Sequence, residues 1–300
     1  MTRIAFLGLG AIGAPMARHL TAAPFELSVW NRTHAKAVAF AADCPERSAV
    51  RVATTPADAA RGAEVVITCL PTSADVEALL YGEHGLAGGL DRGSTLVDCT
   101  SGDPATSRRI AEQVGAAGVE FLDAPVSGGV SGAVKGTLTV MCGGEERTFR
   151  RAYPVLDAFG EKIVHCGPVG AGHALKAANQ ALLAVHIWSA AEALAVATRS
   201  GVKAAVALEV INASSGRSNA SQNLFPERVL TRAFPRTFRL ALLDKDVGIA
   251  SRVARESGVP SPVLQLTAEL FRIAHRALGE EADHVEAVRL LEVWAGGPIS

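Results

Sequence analysis

An excess of charge of either sign is missing from this 300-residue chain: 29 basic and 30 acidic side chains leave a formal net charge of −1. No basic stripe offsets that balance locally. The electrostatic footprint of a nucleic-acid binder is therefore excluded, and any acidic ligand has to be met by a local site. Lysine is scarce: Lys36, Lys135, Lys162, Lys176, Lys203 and Lys245 are the whole set, and arginine is the default surface cation. The five cysteines (Cys44, Cys69, Cys99, Cys142, Cys166) are odd in number, widely spaced and without metal-ligand spacing. They read as small core residues of a reducing compartment. With the first strand read from Arg3, a signal or transit segment is not expected, and the sequence shows no internal repeat or low-complexity stretch. A cytoplasmic location is the expectation.

What is present is a soluble, globular composition, 49% hydrophobic. At roughly 150 residues per domain, the length predicts two domains. Residues 1–166 alternate short β-branched runs with helical runs, which predicts an α/β domain; residues 167–300 are dominated by helical patterning and predict an all-α domain. Residues 167–200 join the two. Gly167, Gly170 and Gly172 loosen the start of this stretch, and no Gly or Pro follows until Gly201. A helix of about seven turns at 3.6 residues each is expected there. Its apolar residues, among them Leu175, Leu182, Ile187, Leu194 and Val196, fall on more than one face, predicting burial on most sides and an assembly of at least two copies, a homodimer or homotetramer. A membrane span is not expected, because Lys176, Asn179, Gln180, His186 and Glu192 interrupt the run.

Residues 3–7 (RIAFL) form a strand that runs straight into Gly8-Leu9-Gly10-Ala11-Ile12-Gly13 and then a helix over residues 14–22. This is GxGxxG in the setting it requires. The first glycine permits the tight turn, the second lets backbone N–H groups approach a pyrophosphate, and the third allows close helix–strand packing. The second strand, residues 26–30, ends in Asn31-Arg32-Thr33 with no acidic residue. A carboxylate there would take a ribose 2′-hydroxyl, whereas a guanidinium suits a 2′-phosphate, so NADP is expected over NAD. The competing reading of Arg32 is a solvated loop residue.

Strands at 65–69 and 95–98 lead into Leu70-Pro71 and Thr100-Ser101, positions that should face the cofactor because open α/β sheets bind ligands at strand carboxyl ends. Thr100 and Ser101 read equally well as helix caps. The strand at 120–124 runs into a glycine-rich turn containing Ser127, Gly128 and Gly129, which reads evenly as an anion-binding nest or as a flexible hairpin loop before the strand at 138–142. In the joining helix, Lys176, Asn179 and Gln180 stand at i, i+3 and i+4 on one face. Such a polar face is either a local cap network or a site. Residues 214–238, with Pro226 and Pro235, give no clear pattern.

Five segments taken together resemble the β-hydroxyacid dehydrogenases, the family of 3-hydroxyisobutyrate dehydrogenase and tartronate semialdehyde reductase. They are FLGLGAIGAPMA (residues 6–17), DCTSGDPAT (98–106), DAPVSGGVSGAVKGTLTVMCGG (123–144), GPVGAGHALKAANQ (167–180) and KDVGIA (245–250). The resemblance implies a Rossmann domain, an all-helical domain, an active site in the cleft between them, and hydride transfer between NAD or NADP and a small β-hydroxy acid. It makes Lys176 the catalytic acid/base with Asn179 beside it. It places Ser127, Gly128 and Gly129 around the substrate carboxylate and Ser101 at the substrate, and it brings Lys245, Asp246 and Phe238 in from the helical domain. Ile12 in place of Met, Gln180 in place of a second Asn, and the order Thr100-Ser101 depart from the usual pattern. The Asn-Gln form is similar to tartronate semialdehyde reductases and to dehydrogenases of four-carbon sugar acids, which points away from 3-hydroxyisobutyrate itself. Two other readings compete: a catalytically idle NADP-binding sensor or scaffold, and an imine reductase, which shares this architecture but usually lacks the lysine.

Overall fold

The computed structural model describes residues 1–21, 25–45 and 50–299, and two compact units make up the chain, Met1–Lys176 and Ala177–Ser300. Ala22, at the end of the helix expected over 14–22, lies outside the described residues.

In the first unit, strands β1 (Thr2–Leu7), β2 (Phe25–Trp30), β3 (Val50–Val52), β4 (Val65–Thr68), β5 (Thr95–Asp98) and β6 (Glu120–Asp123) pair in parallel in the order β3-β2-β1-β4-β5-β6. The connecting helices are α1 (Gly13–His19), α2 (His34–Ala42), α3 (Pro56–Ala60), α4 (Ser73–Tyr81) and α5 (Pro104–Ala116). This is the strand order of a dinucleotide-binding fold, whose ligands meet the carboxyl ends of the strands. Thr55 and Thr72 cap α3 and α4, and Asp103 caps α5. The central strands are apolar on both faces, as a sheet covered by helices on both sides requires. Ile4, Phe6 and Ile67 go into one core, and Ala5, Leu7, Val66 and Leu96 into the other.

The unit continues with the short strand β7 (Val126–Ser127), helix α6 (Gly129–Lys135), strand β8 (Leu138–Gly143), helix α7 (Glu146–Leu156) and strand β9 (Gly160–Gly167). β8 runs antiparallel to β6 and β7 and parallel to β9. The glycine-rich turn is therefore neither a hairpin loop nor a bare nest: Gly128 (φ +134°) and Gly129 (φ +63°) swing the chain from β7 into α6. All five cysteines are free thiols; Cys99 and Cys142 are buried, and burial pushes the Cys142 thiol up to about 12.

Helix α8 (Ala171–Arg199) is 29 residues long and begins in the first unit. The second unit adds α9 (Ala204–Asn212), a π-helical segment Ala220–Val229, α10 (Leu240–Glu256), α11 (Pro262–Leu278), a 3-10 turn His284–Glu286 and α12 (Ala287–Trp294). The π-helical segment occupies the stretch where the sequence shows no pattern; Leu224, Phe225 and Val229 bury into the helical core despite Pro226 within it.

The expectation that α8 is buried on most sides fails for the single chain. Ala184, Ile187, Trp188, Ala191 and Leu194 pack into the helical core, whereas Leu175, Leu182 and Val196 are about half exposed or more, at 48%, 54% and 68%. By length and composition α8 would also suit a membrane span. Its apolarity is accounted for in part by the stripe it contributes to the core of the second unit.

Candidate active site

The loop after β1 is shaped by two close approaches. A Cβ on Gly8 would stand 2.3 Å from the Cys69 carbonyl oxygen, and one on Gly13 would stand 2.0 Å from the Gly8 carbonyl oxygen. Gly10, exposed between them, has nothing within 4 Å of where a Cβ would be. Two of the glycines thus serve the chain's own packing, and the third leaves open room, which is what a dinucleotide pyrophosphate needs at this turn. The site fits NAD(P) on that ground. Ala11 is exposed and Ile12 is half-buried, while Leu9 is buried.

Asn31 bridges the first two strand ends. Its Oδ1 accepts from the Leu9 N–H at 3.0 Å, and its Nδ2 donates to the Thr33 carbonyl at 3.0 Å. Asn31 therefore organises the turn, while Arg32 and Thr33 are exposed.

At the ends of β4 and β5, the Thr100 hydroxyl accepts from the Leu70 N–H at 3.1 Å, and the Thr100 N–H donates to Asp98 Oδ1 at 3.1 Å. The same Asp98 oxygen accepts from the Thr68 hydroxyl at 2.8 Å. Thr100 is wholly buried in this lattice, whereas Ser101 is half-buried and Pro71 exposed. Ser127 is half-buried at the end of β7, with Gly128 and Gly129 exposed beside it. In the first unit these candidates follow the carboxyl ends of β1, β2, β4, β5 and the β6–β7 stretch, so the parallel topology gathers them along one edge of the sheet.

The start of α8 is tied to that sheet by residues the sequence reading passed over. Asp123, buried at the end of β6, accepts from the Gly170 N–H at 2.6 Å and the His173 N–H at 2.8 Å. Burial pushes its carboxyl above the usual carboxylate range, against the pull of His173 and those two N–H groups. The position of His173 within the GPVGAGHALK segment, three residues before a lysine, was the one available signal. Lys176 follows one turn later and is only 7% exposed.

In the second unit, Gln180 is buried and Asn179 is exposed, and the Asn179 amide donates to Gln180 Oε1 at 3.4 Å. The Gln180 amide donates to Asp246 Oδ2 at 3.1 Å, and Lys245 Nζ lies 3.0 Å from Asp246 Oδ1. These four form one group from α8 and α10. Phe238 sits just before α10, its N–H donating to Asp283 Oδ2 at 3.0 Å and its carbonyl accepting from the His284 N–H at 2.8 Å. Among the described residues no cluster of His, Cys, Asp or Glu is placed to hold a metal ion.

Two family profiles cover nearly all of the chain: the NAD binding domain of 6-phosphogluconate dehydrogenase matches residues 3–167, and the NAD-binding region of NADP-dependent 3-hydroxyisobutyrate dehydrogenase matches residues 170–291. The 3-hydroxyisobutyrate dehydrogenase of Pseudomonas aeruginosa is 37% identical over 95% of this chain and 95% of its own. The chain belongs to the β-hydroxyacid dehydrogenase family. Like other β-hydroxyacid dehydrogenases it is an NAD(P)-dependent oxidoreductase. It is also similar to the NAD-dependent L-serine dehydrogenase of Pseudomonas aeruginosa, at 34% identity over 99% of this chain and 100% of that one. A solved 3-hydroxyisobutyrate dehydrogenase of Mycobacterium tuberculosis with L-serine superposes at a TM-score of 0.89 and 33% identity, covering 97% of this chain and 99% of that one.

Proposed function

We propose that this β-hydroxyacid dehydrogenase interconverts a small β-hydroxy acid and its semialdehyde or keto acid, prefers NADP to NAD, and uses Lys176 as the acid/base. The observation that carries the reading is a buried lysine, 7% exposed, one turn along α8 from the helix start that Asp123 fastens to the carboxyl edge of the sheet. Two relatives are named for L-serine and 3-hydroxyisobutyrate. Both compounds carry a hydroxyl β to a carboxylate, which supports the substrate class.

NADP would be held by Gly8, Leu9, Gly10, Ala11, Ile12 and Gly13, with Asn31, Arg32 and Thr33 at its 2′-phosphate and Leu70, Pro71 and Lys245 further along; Thr100, buried with its polar groups engaged, would act only by fixing the Leu70 turn. When bound, the nucleotide takes or gives the hydride. Removing a hydride from an alcohol carbon requires that the hydroxyl proton leave to a base within hydrogen-bond reach. An amine does this near neutral pH only if its ammonium form is disfavoured, and burial works in that direction. In the reductive sense Lys176 returns the proton to the forming alcohol. Ser127, Gly128 and Gly129 bind the substrate carboxylate, Ser101 contacts the substrate, and Asn179 orients the reacting hydroxyl beside Lys176. Asp246 and Phe238 are further substrate-contacting residues in this reading. Location in the cytoplasm and assembly as a homodimer or homotetramer go with this reading.

The test is a screen of L-serine, 3-hydroxyisobutyrate, threonate, glyoxylate, succinic semialdehyde and tartronate semialdehyde with both nucleotides, followed by Lys176→Ala on the best substrate. Turnover should fall by about a thousand-fold while NADPH affinity holds. Turnover that survives within a few-fold would assign the acid to another group, and stoichiometric NADPH binding with no turnover on any of the six would favour a sensor or scaffold.

A further inference from the structure

His173 is wholly buried in the first turn of α8, and both of its ring nitrogens are engaged with segments more than sixty residues away. Nε2 lies 2.7 Å from the Thr100 carbonyl oxygen, and Nδ1 lies 2.6 Å from the Ser107 hydroxyl. A carbonyl only accepts, so Nε2 carries the hydrogen and donates it; in the neutral ring Nδ1 then accepts from Ser107. The loop between these two partners lies directly on the imidazole. A Cβ on Gly102 would stand 2.8 Å from His173 Cε1 and 3.1 Å from Nδ1. On its backbone side, the His173 N–H is spent on Asp123 at 2.8 Å.

Thr100 is consequently clamped at three points. Its N–H is held by Asp98, its hydroxyl by the Leu70 N–H, and its carbonyl by His173. Ser101 is the first residue past the clamp whose side chain is not wholly buried. Three residues along α8 from His173, at the spacing that places side chains on one helix face, stands Lys176.

We infer that His173 is a positioning residue that ties the Ser101 loop to the helix turn carrying Lys176, holding the loop hydroxyl and the proton-transferring amine at a fixed spacing. This rests on the roles proposed above for Lys176 and Ser101. A leucine could fill the space, but it would leave the Thr100 carbonyl without its donor and the Ser107 hydroxyl with only the Asp103 carbonyl, 3.2 Å away within the same segment, and so release the loop from the helix. A glutamine offers an NH2 group that can donate to the Thr100 carbonyl and a carbonyl oxygen that can accept from Ser107, the polarity of the neutral ring. Ser107→Ala removes one leg of the tie and leaves the Thr100 bond in place.

The experiment compares the wild type with His173→Leu, His173→Gln and Ser107→Ala, using 3-hydroxyisobutyrate and L-serine as probes with NADP+ and NAD+. Readouts are kcat, KM, NADPH affinity by fluorescence, melting temperature, and amide hydrogen exchange over residues 100–103. His173→Leu should lower kcat/KM by about 10- to 100-fold, mostly in kcat, as a misplacement of reacting groups does, with NADPH affinity within about twofold. His173→Gln should recover activity to within about fivefold of wild type, and Ser107→Ala should lose about three- to tenfold. A His173→Leu enzyme with kcat/KM within about twofold of wild type overturns the inference. So does a loss in which kcat, NADPH affinity and melting temperature fall together and glutamine rescues none of them. If the wild type turns over neither probe, the best substrate of the six-compound screen takes their place, and if it turns over none of the six with either nucleotide, the functional reading is what fails. Hydrogen exchange then decides the tie on its own: exchange at 100–103 at least about tenfold faster in His173→Leu supports it, and unchanged exchange overturns it.

Discussion

The side-chain amide of Gln180 on α8 donates to Asp246 on α10 at 3.1 Å, joining two buried residues 66 positions apart. With Lys245 on the other carboxylate oxygen at 3.0 Å and Asn179 on the Gln180 carbonyl oxygen at 3.4 Å, the glutamine links Asn179 to the Asp246–Lys245 pair. This gives a physical reason for the departure from a second asparagine, since the extra methylene lengthens the reach from α8 towards α10. Replacing Gln180 with Leu leaves a buried carboxylate oxygen without its amide donor and should cost about 1–3 kcal/mol. Urea unfolding midpoints measure the cost, and kcat should fall in the same variant. An unchanged midpoint would show that the bond contributes nothing.

Gly10 and Gly13 should respond oppositely to the same change. In Gly13→Ala the new methyl meets the Gly8 carbonyl oxygen at 2.0 Å, and forcing the turn apart should cost about 1–3 kcal/mol. Gly10→Ala places its methyl in open space, so the melting temperature should hold while NADPH affinity drops by about tenfold. Fluorescence titration and thermal melting of both variants separate the two effects. Equal behaviour would mean that the open room beside Gly10 is not where the cofactor lies.

The expected NADP preference rests on Arg32, exposed just past the Asn31 bridge. Arg32→Asp exchanges a partner for a 2′-phosphate for one that suits a 2′-hydroxyl. The ratio of kcat/KM for NADPH over NADH should invert, and a ratio that does not move would locate the selectivity elsewhere.

Asp283 anchors the start of α10 by accepting from the N–H groups of Thr237 at 2.8 Å and Phe238 at 3.0 Å, with Arg228 and His284 also on the carboxylate. Burial pushes this carboxyl up, but the His284 hydrogen bond and charge and the two N–H groups outweigh it and hold it well below the usual carboxylate range. Its contribution to stability is therefore fully present above the unfolded-state value of about 3.9 and is lost as pH falls towards the lower folded value. Urea unfolding of the wild type should weaken steeply below about pH 4. Asp283→Asn should be less stable at neutral pH and show a shallower acid slope; parallel slopes would mean that another carboxylate governs the acid limb.

The glycine loop, the β-strand edges and the lysine of α8 can be read from local spacing, because each depends on a conformation or a period that neighbouring residues set. The five family segments are legible for the same reason. Helix α6 and the π-helical segment 220–229 are not: two glycines and a proline argue against helix locally, and packing of Leu224, Phe225 and Val229 outweighs that local preference in the second case. Pattern alone likewise left Thr100 and Ser101 indistinguishable. The Leu70 N–H, thirty residues upstream, is what turns the Thr100 hydroxyl inward. The i, i+3, i+4 spacing of Lys176, Asn179 and Gln180 predicts a shared polar face, yet only packing buries the first and third and leaves the second exposed. Spacing along one element is a property of the backbone and needs no partner. Burial and hydrogen bonding depend on which distant strand or helix the fold lays alongside, as Asp246 meets Gln180 and Thr100 meets His173.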